Sequence, residues 1–223
     1  MLNLYERNNL VFWTEEACRL RRQFEDYFTS TLSRVLQDIN PAFHFFQVEA
    51  PLLTPRELIN PNYTDADIFA LDDLALRPET TMGSYHYAQY LLNPHHARKV
   101  RLPFVVWQHG KSFRREQDQP TKYMRLKEFY QLEFQILYAE NTKNDYSLTV
   151  LPAVRDMLEN MLGPCRLEPS DRLPAYAEWT QDVICEHTDL EVCSISLRKD
   201  FPGGRNLEVA IGTDRCVYCF MEK

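Results

Sequence analysis

The stretch SFRREQDQPTKYMRLKEFYQLEFQ, Ser112 to Gln135, sets Arg114, Arg115, Lys122, Arg125 and Lys127 around a polar Gln-Asp-Gln-Pro turn and then runs into an alternating segment. Val100 to Phe113 before it and Arg125 to Tyr138 within and after it are rich in β-branched and aromatic residues, which predicts two strands of an antiparallel hairpin joined by the charged turn. A hairpin that carries Arg114 and Arg125 toward one face can hold a triphosphate, because guanidinium makes fixed two-pronged contacts to phosphate oxygens. Glu116 lies two residues after Arg114 and so shares its face. A carboxylate there accepts from an amino group, which adenine supplies and a phosphate does not. Phe129 on the returning strand offers a flat apolar surface for a base. The bland alternative is an exposed hairpin whose charges are merely solvated.

The rest of the chain narrows what such a hairpin could meet. With 223 residues, 44% hydrophobic and 13% aromatic, the chain can bury one sizeable core. Its net charge of −7 argues against a broad nucleic-acid surface, so no DNA partner is expected and any polyanion has to meet a local basic site. The apolar runs are too short to span a bilayer and the start lacks a basic region followed by an apolar one, which reads as a soluble, cytoplasmic protein with no membrane partner. Six scattered cysteines read as reduced thiols. Cys216-Val-Tyr-Cys219 with Cys185 and Cys193 could form a zinc site, but core positions account for all four thiols without a metal. His95, His96 and His109 lack partners at metal spacing and read as surface or strand residues.

Thr14 to Ile39 predicts the longest helix, with Ala17, Leu20, Phe24, Phe28, Leu32, Val35 and Ile39 at three- and four-residue spacing, Thr14 as cap and Asn40-Pro41 as stop. Phe43 to Leu53 reads as extended, Pro55-Arg56-Glu57 as the start of a short helix, Asp67 to Pro78 as two short strands around Asp72-Asp73, and Thr80 to Leu92 as a helix. Asn144 to Leu162 predicts a second amphipathic helix ended by Gly163-Pro164. Trp179 to Cys185, Leu190 to Leu197 and Asn206 to Ile211 read as strands, Gly203-Gly204 as a turn, and Thr213 to Met221 as a short helix. The order points to an α+β fold with a mainly antiparallel sheet of about six strands, in one domain spanning residues 1–223.

Phe113-Arg114-x-Glu116, a polar loop, then Arg125-x-x-Glu128-Phe129 resembles motif 2 of the class II aminoacyl-tRNA synthetases (near 110–135). Pro51, after a long helix and an extended segment, looks like the proline of motif 1 (near 40–55), and Gly212-Thr-Asp-Arg215 looks like motif 3 (near 206–221). Leu76-Arg77-Pro78-Glu79-Thr80 is similar to a loop of the dimeric glycyl-tRNA synthetases. Tyr176-Ala177-x-Trp179-x-x-Asp182, Glu191 and Ser196-x-Arg198-x-Asp200 are similar to the stretch that crosses the active site in those enzymes. The resemblance covers roughly residues 14–223 and stops short of an anticodon-binding domain.

The resemblance implies a class II antiparallel sheet flanked by helices, a homodimer through the Thr14 to Pro51 region, and use of ATP and Mg²⁺. It assigns Arg114 to the α-phosphate and the amino-acid carboxylate, Glu116 to the adenine amino group, Phe129 to the adenine face, and Arg125 and Arg215 to the distal phosphates. Glu191 and Glu208 fall where the family places acids near magnesium or the substrate ammonium, and Glu79 and Glu133 match ammonium-binding acids. Two positions depart from it: Gln135 stands where glycyl enzymes have an acid, and Ala210 where they have a serine. The glycine pocket is therefore only partly matched. Three functions stay open: activation of glycine or another small amino acid with transfer to a tRNA acceptor end, an amino-acid ligase with a carrier protein or other acceptor, and a non-catalytic interaction module.

Overall fold

In a computed structural model of the chain, residues 5–7, 10–95, 99–115, 124–140 and 145–223 are described. Glu116, Lys122, His96 and Asn144 lie outside them. The chain opens with two short paired strands, β1 (Tyr5–Arg7) and β2 (Leu10–Phe12), then α1 (Glu15–Ile39), whose cap Thr14 accepts the Ala17 N–H at 3.3 Å. After β3 (His44–Gln47) come β4 (Leu53–Pro55), a single 3₁₀ turn (Arg56–Leu58), β5 (Phe69–Leu71), β6 (Leu74–Leu76) and α2 (Thr81–Leu92). Next are β7 (Phe104–Phe113), β8 (Glu128–Tyr138), α3 (Ser147–Leu162), β9 (Cys165–Pro169), β10 (Ala177–Cys185), β11 (Leu190–Arg198), β12 (Arg205–Gly212) and α4 (Thr213–Met221).

The main sheet has seven strands in the order β3-β7-β8-β12-β11-β10-β9, with only β3 and β7 parallel; β4, β6 and β5 make a small antiparallel sheet of their own. The expected hairpin of β7 and β8 is present, paired from Phe104↔Leu137 to Phe113↔Glu128. The seventh strand, β9, was not anticipated: five residues directly behind Gly163-Pro164 show too little alternation to separate from a turn.

Strand alternation divides the sheet into two unlike faces. Leu132, Phe134 and Ile136 of β8, Leu207, Val209 and Ile211 of β12, and Cys193, Ile195 and Leu197 of β11 turn toward one core, which takes Ala17, Leu20, Phe24, Phe28, Leu32 and Leu36 from α1 and residues of α3 and α4. Cys185, Cys193, Cys216 and Cys219 are all buried there, and no group of three His, Cys, Asp or Glu among the described residues could hold a metal. The residues between them in sequence, Glu133, Gln135, Glu208, Ala210, Ser194 and Ser196, occupy the opposite face, where α2 covers the β7–β8 side and leaves the β12–β10 side open. A sheet covered on one side by three helices and on the other by one is what exposes a polar floor. No described helix is long and apolar enough to cross a membrane.

Candidate functional site

The open part of that face is a cavity of about 490 Å³, within the range of small-molecule sites. Its floor comes from β12, β11 and β10, one wall from the residues around the β7–β8 turn, another from the β9–β10 loop, and its mouth from α4. Arg114, Arg125, Phe129, Glu79, Glu191, Glu208, Ala210 and Arg215 all line it. Residues separated by up to 136 positions in sequence (215 − 79) thus meet in one space. Glu133 and Gln135 do not line it; both are fully buried beside it, on the β8 part of the same face that α2 covers.

Arg114 lies one residue past the end of β7, and Arg125 three residues before β8, so neither is carried on a strand as the hairpin reading had it. Arg114 is half-buried. Its Nε donates to Pro78 O at 3.0 Å, and its guanidinium lies 5.1 Å from the Phe129 ring and 5.4 Å from that of Tyr63. The next wall residue, Glu79, is held in place by a neighbour. Buried Arg77 donates from Nε to Lys111 O at 2.8 Å and from Nη1 to Ala50 O at 2.7 Å, tying the Arg77–Thr80 segment to β7 and to the chain before β4. Gly110 is required opposite it, because a Cβ there would overlap the Arg77 guanidinium. Gln108 Nε2 then donates to Thr80 O at 2.5 Å, fixing the end of the segment.

Glu79 Oε2 accepts from the Tyr63 hydroxyl at 2.8 Å, while Oε1 is buried with no hydrogen-bond partner. Burial raises this carboxyl above the usual range, the neighbouring Glu208 adds to the rise, and Arg114 opposes it. Burial also raises the phenols of Tyr63 and Tyr176, which keeps them neutral donors.

On the floor and under α2 beside it, the carboxylates are already occupied. Glu133 accepts from Thr80 at 2.8 Å, Ser84 at 2.6 Å and the Gln135 amide at 2.6 Å. The same Gln135 nitrogen donates to Glu208 Oε2 at 2.9 Å, and Gln135 Oε1 accepts from Asn206 at 2.5 Å. Glu208 also accepts from Arg198 Nη1 at 2.7 Å and from Tyr176 at 2.9 Å. Arg198 sits between the Tyr85 and Tyr176 rings, 3.9 and 3.8 Å from their centroids. Burial alone would lower its pKa; Glu208 and Asp200 override that and hold it charged. Gln135 therefore joins two carboxylates through one neutral amide, at the position where the resemblance expects a third acid.

The Glu133 carboxyl is raised from 4.5 to about 7, by burial first and then by the charge of Glu208. A carboxyl raised in this way keeps its proton in the folded chain at pH values where the unfolded chain has lost it. The stability it contributes is full below about pH 4.5 and is lost as pH rises through about 7. Denaturant titrations of wild type and Glu133→Gln at several pH values should show the two diverging across that window, wild type losing the more stability on the alkaline side. Parallel pH profiles would contradict the assignment.

Glu191 is exposed at the rim, where its carbonyl accepts from Arg215 Nη1 at 2.8 Å and its carboxylate lies 3.6 Å from the same group. Glu208 faces Ser196, five strand residues beyond Glu191 (196 − 191), which places the two acids about 15 Å apart along the sheet. They do not converge on one point. Arg215 follows Asp214 in the first turn of α4, and Asp214 is buried against Arg21 of α1 at 2.8 Å while accepting the Tyr130 N–H at 2.9 Å. Alongside, the His109 ring nitrogens lie 2.7 Å from Glu25 and 3.0 Å from Thr213. His109 is thus a bracket between α1, β7 and α4.

Tyr63, Arg77, Tyr176 and Arg198 were not given roles from sequence. Arg77 and Arg198 carried a signal, since an Arg before Pro-Glu-Thr and an Arg in an alternating apolar strand each demand a partner; Tyr63, in a polar loop, carried none.

No family model matches the chain. It is 39% identical over 71 residues to the glycine–tRNA ligase of Mycoplasmopsis synoviae, covering 32% of this chain and 15% of that ligase. It is 31% identical over 134 residues to that of Mycoplasma genitalium, covering 56% and 29%. The matched stretches thus span less than a third of these relatives. Among solved structures, the prolyl-tRNA synthetase of Cryptosporidium parvum, complexed with halofuginone and AMPPNP, superposes with a TM-score of 0.73 at 12% identity, over 99% of this chain and 49% of that one. The pyrrolysyl-tRNA synthetase of Desulfitobacterium hafniense gives 0.63 at 18%, over 87% and 68%. In fold, the chain matches the class II aminoacyl-tRNA synthetases.

Proposed function

We propose that this cavity activates a small amino acid with ATP to an aminoacyl-adenylate, for transfer to a tRNA acceptor end. The observation that carries the reading is Glu79 Oε1, a buried acceptor without a partner, in the same cavity as Arg114 stacked on Phe129. An acid with a free oxygen fits an α-ammonium, and an arginine beside it fits the carboxylate that the same molecule carries. Glu133 and Glu208 have their donors already, so Glu79 holds the ammonium. Phe129 takes the adenine face, and Arg125 and Arg215 take the distal phosphates. Glu116 keeps the assignment to the adenine amino group that the resemblance gives it.

The amino-acid carboxylate attacks the α-phosphate and pyrophosphate leaves, so no side chain acts as nucleophile; Arg114 stabilises the charge that develops. The residues present do not make a protein-only metal cage. They fit Mg²⁺, which takes one or two carboxylates together with substrate phosphates, and Glu191 at the phosphate end is the available one. A homodimer belongs to the same reading, supported by Leu52, Leu53, Leu58 and Leu71, which the structure leaves exposed beyond Pro51; a sedimentation experiment giving only monomer would remove it. The reading is tested by ATP–pyrophosphate exchange with Mg²⁺ across single amino acids, with and without tRNA. Exchange with one small amino acid is expected. A folded protein that exchanges with none of them sinks the reading and leaves a non-catalytic binding module.

A further inference from the structure

Two carboxylate oxygens in the cavity are buried without a hydrogen-bond partner: Oε1 of Glu79 and Oδ1 of Asp182. Each residue is only 8% exposed. The proposed function uses the first and leaves the second unexplained. Native folds rarely leave a buried acceptor unpaired, because it forfeits its bonds to water without replacement.

Strand register places Asp182 relative to everything else on the floor. Glu133 pairs with Ala210, Ala210 with Ser194, and Ser194 with Asp182, a single row across β8, β12, β11 and β10. Asp182 is therefore two strands beyond Ala210, about 10 Å at ordinary strand spacing. The side chains between are small. In the neighbouring row, Thr180 and Ser196 lie 2.8 Å apart and satisfy each other. The floor from Ala210 to Asp182 is thus a low shelf with one unsatisfied acceptor at its far end. The Ser170 and Ser194 hydroxyls stabilise the Asp182 carboxylate, against a burial that pushes its pKa up.

We propose that Asp182 is a ligand-binding residue whose free Oδ1 accepts a hydrogen bond from a hydroxyl or amine carried by the small molecules in this cavity. Who those molecules are rests on the adenylate-forming reading; the acceptor itself does not. Two sources carry that chemistry, the side chain of the amino acid and the ribose of the nucleotide. Geometry favours the side chain. Phe129, the base platform, lies four residues before Glu133 on β8, so the base sits about 13 Å along the strand from the row that holds Asp182. Ala210, in that row between Glu133 and Ser194, keeps the floor low on the way to Asp182. The substrate is then a small amino acid with a polar side chain, such as one bearing a hydroxyl or amine on its β-carbon, rather than glycine.

The test compares wild type with Asp182→Ala by calorimetric titration of ATP, 2′-deoxy-ATP and 3′-deoxy-ATP, and of glycine, alanine, serine and 2,3-diaminopropionate in the presence of ATP and Mg²⁺. The variant should lose roughly tenfold or more in affinity for serine or 2,3-diaminopropionate, and none for alanine or glycine. Its melting temperature should fall by only a few degrees, since the substitution removes the bonds from Ser170 and Ser194 along with the unpaired oxygen. A loss for ATP that is absent for one of the deoxy nucleotides places the donor on the ribose and also supports the subsite. Unchanged affinity for every ligand overturns it, and a melting temperature lowered by more than that alongside would make Asp182 a structural carboxylate. Wild type that binds these ligands with the discrimination above but forms no pyrophosphate sinks the adenylate reading alone. Wild type that binds none of them sinks both.

Discussion

Arg114→Ala should lower the rate of amino-acid-dependent pyrophosphate exchange about a thousandfold, the upper end of what removal of one preorganised donor at a developing negative charge costs. The size follows from where the guanidinium stands. Its Nε is committed to Pro78 O, it is flanked by Tyr63 and Phe129, and it points into a cavity that also holds the unpartnered oxygen of Glu79. It therefore needs no reorganisation when the carboxylate and α-phosphate meet. As an exposed residue carried by a strand of the hairpin, Arg114 would be removable at little cost in stability. In the structure it is half-buried and bonded to the loop that carries Glu79, so the variant should also lose about 1 kcal/mol of stability by denaturant titration. Arg114→Lys keeps the charge but not the fork, and should recover little of the rate. Exchange within a factor of three of wild type in the folded Ala variant would remove Arg114 from the chemistry.

Arg198→Met should destabilise the chain by about 3–5 kcal/mol, the usual consequence of removing one partner of a buried ion pair. Methionine replaces much of the apolar stem between Tyr85 and Tyr176, so packing is largely kept and the loss isolates the charge. Glu208 then stays buried, with side-chain exposure of 5%, facing only the Gln135 amide and the Tyr176 hydroxyl. Asp200, the other partner of Arg198, has a side chain 37% exposed and can return to water, so Asp200→Asn should cost 1 kcal/mol or less. Equal melting temperatures for the two variants would mean that the Glu208 pair does not hold the floor together.

The two faces of the sheet explain what could be read in advance. Alternation in Leu132-Glu133-Phe134-Gln135-Ile136 predicts a strand, and the helical spacing of Phe24, Phe28 and Leu32 predicts α1, because burial against one core imposes those periods. The same alternation does not say that the polar side of β8 is buried too. Glu133 and Gln135 look like solvent-facing or substrate-facing residues until α2 is seen to cover them, so they end buried beside the cavity while Glu79, from a loop, reaches it. The cavity lining of Arg114, Phe129, Arg215 and Glu208 was legible through their order along the chain. Asp182 was legible as part of the stretch that crosses the site, but its free oxygen was not, and neither was Tyr63, because which carboxylate keeps a free oxygen depends on contacts between segments that no local pattern encodes. Arg114 and Arg125 were expected to be carried by the strands and fall just outside them: β7 ends at Phe113, where the alternation puts it, and the charged turn runs on to Glu128, three residues later than the alternation suggests.

Arg21 and Asp214 close the fold between its first long helix and its last, 193 residues apart. On a ribosome adding 5–20 residues per second, α1 waits roughly 10–40 s for its partner. During that time Phe24, which α4 meets through Phe220, and Phe28 stacked on it have no finished core to enter, and Arg215 has no anchored helix to stand on. A nascent chain that has completed the β7–β8 hairpin already owns Arg114 and Phe129, yet it lacks the mouth of the site. The mouth of the cavity waits on α4, so a nascent chain made only as far as β12 exposes the apolar face of α1 with no complete cavity beside it.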